Sequence, residues 1–202
     1  MRRKSSDLVF ALAGALGLTL AACESGGVGD PCIPEDEYRE GFPGYSKGEV
    51  NIESRSFQCE TRVCLVHHFQ GRVSCPYGQN VASRGEDGVV EGVDHNEQCL
   101  VPGTTVPITE PVRPQLYGRQ AFDAVYCSCR CSGPDKNASY CECPGGFRCQ
   151  ELIEDYDLGR DQLVGSYCIR NGTEVSDPNE ISGSPCQLNN ENRQCNEKFA
   201  VY

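Results

Sequence analysis

Ala121-Phe122-Asp123-Ala124-Val125-Tyr126-Cys127-Ser128-Cys129-Arg130-Cys131 places three cysteines at every second position. Side chains alternate between the two sides of a β-strand, so this spacing predicts one strand with Asp123, Val125, Cys127, Cys129 and Cys131 on a single side. Ser132-Gly133-Pro134-Asp135 then supplies turn residues, and Cys141, Cys143 and Cys149 follow. A strand edged with sulfur that turns back toward more sulfur predicts a fold held by crosslinks.

The N-terminal end says where such crosslinks could form. Arg2, Arg3 and Lys4 precede 13 apolar or small residues, 8–20, and small residues precede Cys23. This is the layout of a cleaved secretory signal over residues 1–22. The apolar run is short of the ~20 residues that a helix needs to cross the hydrocarbon core. Leu20-Ala21-Ala22-Cys23 resembles the lipobox of bacterial lipoprotein precursors: a large aliphatic residue, two small ones and a cysteine. The resemblance implies that the Cys23 sulfur receives a diacylglyceryl group, that the signal is cut before it, and that the freed amine is acylated. Membrane lipid is thus an implied partner, since several acyl chains together make attachment stable. Glu24, rather than Asp, at the next position leans toward the outer membrane in the enteric sorting rule. The expected location is the cell envelope, facing periplasm or exterior.

Removing residues 1–22 takes away Arg2, Arg3, Lys4 and Asp7, so 18 Lys+Arg and 29 Asp+Glu become 15 and 28, a net charge of −13. Nucleic acid is a poor partner for that surface, and a basic or cationic partner a better one. Leu, Ile, Val and Phe make up 35 of the 180 mature residues, and Trp is absent. That is about 19%, a level at which a highly charged chain does not bury enough apolar surface to offset its entropy. Covalent help is required. With Cys23 set aside for lipid, 14 of the 15 cysteines remain, enough for seven disulfides. Each typically adds ~2–4 kcal/mol. About 135,000 pairings are open by counting alone.

These features predict a small, disulfide-rich, mainly β protein with irregular loops and two lobes. Residues 23–31, lipidated at Cys23, read as a flexible Gly-rich tether holding the body about 15 Å from the membrane. Residues 32–101 form an N-terminal cysteine-rich β lobe with Cys32, Cys59, Cys64, Cys75 and Cys99. Within it residues 62–69 alternate and then turn at Gln70-Gly71 into residues 72–75, predicting a hairpin, with another strand within 50–57. The spacing of Cys59, Cys64 and Cys75 would let them staple that group. Residues 81–98 are acidic and Gly-rich, a loop by composition. Residues 102–118 carry Pro102, Pro107, Pro111 and Pro114 and read as a connector. Residues 119–170 form a C-terminal cysteine-rich β lobe with Cys127, Cys129, Cys131, Cys141, Cys143, Cys149 and Cys168. A short helix is expected over 150–163 and a closing strand over 166–170. Residues 171–202 are a loop-like tail in which Cys186 and Cys195 are near enough to pair. Five cysteines precede the prolines and nine follow, so complete pairing requires at least one bridge across them.

Cys141-Glu142-Cys143-Pro144-Gly145-Gly146-Phe147-Arg148-Cys149 resembles the end of an epidermal-growth-factor-type module. Its final loop is short and the cysteines upstream are crowded, so the resemblance implies a local β-turn and no domain.

Candidate chemistry is sparse. Gly44-Tyr45-Ser46-Lys47-Gly48 matches Gly-x-Ser-x-Gly, but a nucleophile elbow needs a strand before it and a helix after it, which this segment does not predict. His67, His68 and His95 are the imidazoles; the first two are expected on opposite faces of one strand. Cys127, Cys129, Cys131, Cys141 and Cys143 could hold a soft metal as thiolates, yet an oxidising compartment favours disulfides. The acidic residues at 86–97 and 154–157 offer oxygens without the spacing of a calcium loop, and Asn137-Ala138-Ser139 and Asn171-Gly172-Thr173 mark exposed turns. No catalytic residue, metal site or cofactor is assigned. The expectation is a non-enzymatic binding, adhesive or structural lipoprotein, with a hydrolase using Ser46 or a calcium-binding module as alternatives.

Overall fold

The computed structural model describes residues 26–80, 98–154, 163–175, 177–186 and 195. Among these residues six short strands make two antiparallel three-stranded sheets. In the first, β2 (Val63–His67) lies between β1 (Val50–Glu53) and β3 (Val125–Ser128), with Ile52 opposite Leu65 and Leu65 opposite Tyr126. In the second, β6 (Gly165–Arg170) lies between β4 (Arg130–Ser132) and β5 (Phe147–Ile153), with Cys149 opposite Cys168. The fold is mainly β and disulfide-rich, and all fourteen cysteines other than Cys23 are paired, in seven bridges.

Residues 121–131 do not form one strand. Ala121–Ala124 is a single helical turn, α1, in which both alanines are fully buried; their small side chains let the turn sit directly on the core. The strand that follows is divided at Cys129, because its sulfurs are drawn to different partners. Cys127 bonds Cys59 beside the first sheet, while Cys129 bonds Cys141 and Cys131 bonds Cys149 in the second. Ser128 donates its hydroxyl to Cys168 O at 2.9 Å and tacks the junction to β6. The boundary between the sheets therefore falls at Cys129 and not at the prolines, since β3 completes the N-terminal sheet. Cys59–Cys127 is the bridge that spans the proline-bearing segment.

Alternation along β2 and β3 separates two cores. Leu65 and Tyr126 face β6 and cluster with Ile169, which joins the sheets. Cys64, Val66, Val125 and Cys127 face the other way, toward Ile33, Tyr45, Phe69, Val73 and the α1 alanines. With both faces covered, β2 is a central strand and not half of an exposed hairpin. Its expected partner at 72–75 is a tight turn instead. Gly71, at φ 91°, pairs with Tyr45 and is pressed against the Arg113 carbonyl, so no side chain fits there and the chain is steered away from β2. Cys59, Cys64 and Cys75 bond Cys127, Cys32 and Cys99, not one another.

The prolines belong to the body. Val101, Ile108 and Val112 are buried with Cys75 and Cys99. Proline cannot donate to a ladder, and the Gln79 amide fills in, donating to Ile108 O at 2.7 Å and Glu110 O at 3.2 Å while its oxygen accepts from Cys99 N at 3.1 Å.

Two further expectations are corrected. Residues 150–153 continue β5, so a helix does not begin there; residues 155–162 lie outside the described ones. The segment read as a flexible tether is strapped to the body from Gly26 on. Gly26 N donates to Gln58 O at 2.7 Å, Glu60 N to Gly26 O at 2.9 Å, Gly29 N to Cys127 O at 2.8 Å and Cys127 N to Asp30 O at 2.8 Å. Glycine composition suggested freedom, but Gly29, at φ 98°, is where a Cβ would stand 2.7 Å from the Phe147 ring. The glycine serves close approach.

Candidate functional site

The residues flanking one disulfide line an open cleft. Cys75–Cys99 joins two distant stretches and so brings Ser74 beside Gln98 and the turn that follows. Between them and the 3₁₀ turn Glu35–Tyr38 lies a cleft of about 680 Å³, lined by Ile33, Tyr38, Val73, Ser74, Gln98, Leu100, Val101, Pro102, Gly103 and Thr104. That volume and a mostly apolar wall with a few polar groups suit a small ligand or a short peptide segment. Tyr38 and Leu100 are partly exposed at 48% and 38%.

A buried ion pair holds the wall in place. Glu37 and Arg72 are both fully buried, with Arg72 Nε 3.4 Å from Glu37 Oε2. Glu37 accepts from Val73 N at 2.6 Å, Ser74 N at 3.2 Å and Ser74 Oγ at 2.7 Å. Arg72 donates to the carbonyls of Phe42 at 2.7 Å and Arg39 at 3.3 Å, and also to that of Glu37. Burial raises the Glu37 pKa, opposed by the Ser74 hydroxyl, the Arg72 charge and the two amides. A pair so enclosed positions the Val73-Ser74 wall and is not itself open to a ligand. Inside the cleft Thr104 Oγ1 is occupied by Val101 O and Val106 N, whereas Gln98 Nε2 is buried without a hydrogen-bond partner.

A second nest joins β2 to the tail. Arg119 Nε donates to His68 O at 2.7 Å, Nη2 to His67 O at 2.7 Å and Nη1 to Thr173 O at 3.0 Å. Arg119 Nη2 also lies 3.2 Å from His67 Nδ1, which must accept, so the neutral ring carries its proton on Nε2. Burial first, then the Arg119 and His68 charges, pushes the His67 pKa down to about 3. The two histidines are not on opposite faces as alternation predicts. His68, at φ 53°, ends the strand, and its ring centroid stands 4.8 Å from that of His67. His68 Nδ1 donates to Lys47 O at 3.0 Å and Lys47 Nζ to Ile181 O at 3.1 Å. These contacts clamp loops together.

Ser46 sits in a turn closed by Glu49 N to Ser46 O at 2.9 Å, and its hydroxyl accepts from Gly48 N at 3.3 Å. Among the described residues no hydrogen bond links Ser46 Oγ to a histidine, and no helix follows it. Cys23, His95 and the acidic residues at 86–97 and 155–157 lie outside the described residues. The five cysteines weighed as thiolate ligands are all in disulfides, which removes the anionic sulfur a soft metal needs. Their packing is nonetheless dense: Cys168 Sγ, bonded to Cys143, stands 3.5 Å from Cys129 Sγ and 3.8 Å from Cys141 Sγ.

Sequence reasoning had singled out none of Tyr38, Ser74, Gln98 or Leu100, nor the Glu37–Arg72 pair. The available signal was Cys75-x₂₃-Cys99, which, once paired, makes neighbours of 74 and 98. Comparison with protein-family models, curated proteins and solved structures finds no match to this chain.

Proposed function

We propose that this chain is a lipid-anchored, disulfide-stabilised extracytoplasmic bacterial lipoprotein of the outer membrane, serving as a non-enzymatic binding module of the cell envelope. Acylation at Cys23 is supported by the lipobox and its flanks. The single structural observation that supports binding is the cleft beside Cys75–Cys99, with apolar walls and a buried Gln98 amide that lacks a partner. Such a site would hold a small ligand or short segment mainly by apolar burial. Among the described residues its lining carries no paired acid and base, and Ser46, His67 and His68 are not part of it.

The test compares retention of partners from envelope extracts by the wild-type protein and by Leu100→Arg, which puts a charge at the cleft mouth without touching the buried wall. A ligand or partner held by the wild type and lost from the variant is the expected result. Equal retention would remove the cleft from the reading.

A further inference from the structure

The strapped N-terminal segment limits how far an acylated Cys23 could stand from the body. This inference rests on acylation of Cys23. Only Glu24 and Ser25 separate that cysteine from Gly26, which is bonded on both sides to the backbone of residues 58 and 60. Three peptide steps reach at most about 11 Å. Adding the cysteine side chain and the 2.7 Å hydrogen bond from Gly26 N to Gln58 O, the lipid-bearing sulfur stands within about 18 Å of the loop to which Gly26 is tied.

That loop is unusual in this acidic molecule. Phe57, next to the residue that accepts the Gly26 amide, is 83% exposed, the most exposed large apolar side chain among the described residues. Its Cα lies within about 9 Å of Gly26 N, summing standard bond lengths and the hydrogen bond. The Arg62 guanidinium stacks on the ring at 4.7 Å, and Arg55 is also exposed, as is Glu60, so the two cations outnumber the one anion. The loop is firmly built: Ser56 N donates to Arg62 O at 3.0 Å, Arg62 takes φ 64°, and Cys59 bonds Cys127. An aromatic ring with cationic neighbours on a rigid loop is the composition that settles at the boundary between headgroups and acyl chains, the ring among chain carbons and the guanidinium at phosphate. We infer that the Phe57–Arg62 loop is a membrane-contact surface, which docks on the phospholipid interface beside the acylated Cys23 and holds the body in one orientation.

The experiment uses the full, processed protein reconstituted in phosphatidylcholine–phosphatidylglycerol vesicles. The chain has no tryptophan, so Phe57→Trp introduces a single reporter at a position outside the core. The expected result is emission shifted to shorter wavelength than that of a free tryptophan amide, loss of emission when the lipids carry bromine on their acyl chains, and protection from aqueous acrylamide. Mass spectrometry of the N-terminal peptide is read on the same sample. Acylated Cys23 with a reporter open to acrylamide and unaffected by brominated lipid overturns the membrane contact alone. An unacylated Cys23 overturns both this inference and the lipoprotein reading beneath it.

Discussion

His67 shows how one side chain carries a pH response. Its Nδ1 accepts from Arg119, its Nε2 has no hydrogen-bond partner, and burial holds its pKa near 3 against an ordinary 6.5. Between those values the unfolded chain binds a proton that the folded one refuses. The stability His67 permits is therefore full above pH 6.5 and is lost as pH falls toward 3. By pH 4 the loss reaches about 3 kcal/mol. Urea midpoints from pH 7 to pH 4 should fall more steeply for wild type than for His67→Gln, which keeps an acceptor for Arg119 and cannot be protonated; parallel slopes would contradict this account. None of this was legible in the sequence. A histidine on an alternating segment reads as partly exposed, and only contact with Arg119, 52 residues away, makes it a buried acceptor. Glu37 and Arg72 were hidden for the same reason, since charged residues are seldom fully buried without a partner and the partner is distant in the chain.

At the scale of elements, strands rich in β-branched and aromatic residues were readable, and segments ruled by backbone contacts were not. β1, β2 and β6 fall where β-branched and aromatic residues recur. The 121–131 segment misled because period-two cysteines describe a strand but not which sheet each half joins. The strap at residues 26–31 misled because glycine signals freedom and close packing alike. Gly29→Ala tests it. At φ 98°, with Phe147 in the way, a methyl group should cost about 1–3 kcal/mol. Hydrogen exchange should quicken at the amides of residues 29 and 127, which bond across the strap, and stay slow at Cys168 in the second sheet. Unchanged exchange at 29 and 127 would mean that the strap does not depend on that glycine.

Across the whole molecule, the crosslinks are unequal. Cys59–Cys127 joins residues 68 apart and ties β3 to the loop that receives the strap, whereas Cys186–Cys195 closes a separation of 9. Loop entropy assigns the first about 4 kcal/mol and the second about 2–3 kcal/mol. Paired serine replacements, compared by denaturant midpoint, should rank in that order, and the first should also loosen the Gly26 and Gly29 amides. An equal cost for both would deny Cys59–Cys127 its central place. Apolar residues are sparse beyond residue 22, so the loss of one long-range bridge is felt across both sheets.

Residue types alone carried the dependence on sulfur, the even count of cysteines available after Cys23, and the necessity of a bridge across the prolines, because composition and parity do not depend on distance. Which cysteine meets which, the burial of Glu37, Arg72 and His67, the cleft beside Cys75–Cys99 and the strap that ties Gly26 beside Phe57 were settled only by the folded chain. Each depends on groups far apart in sequence coming within a few ångströms, and local spacing carries no record of that.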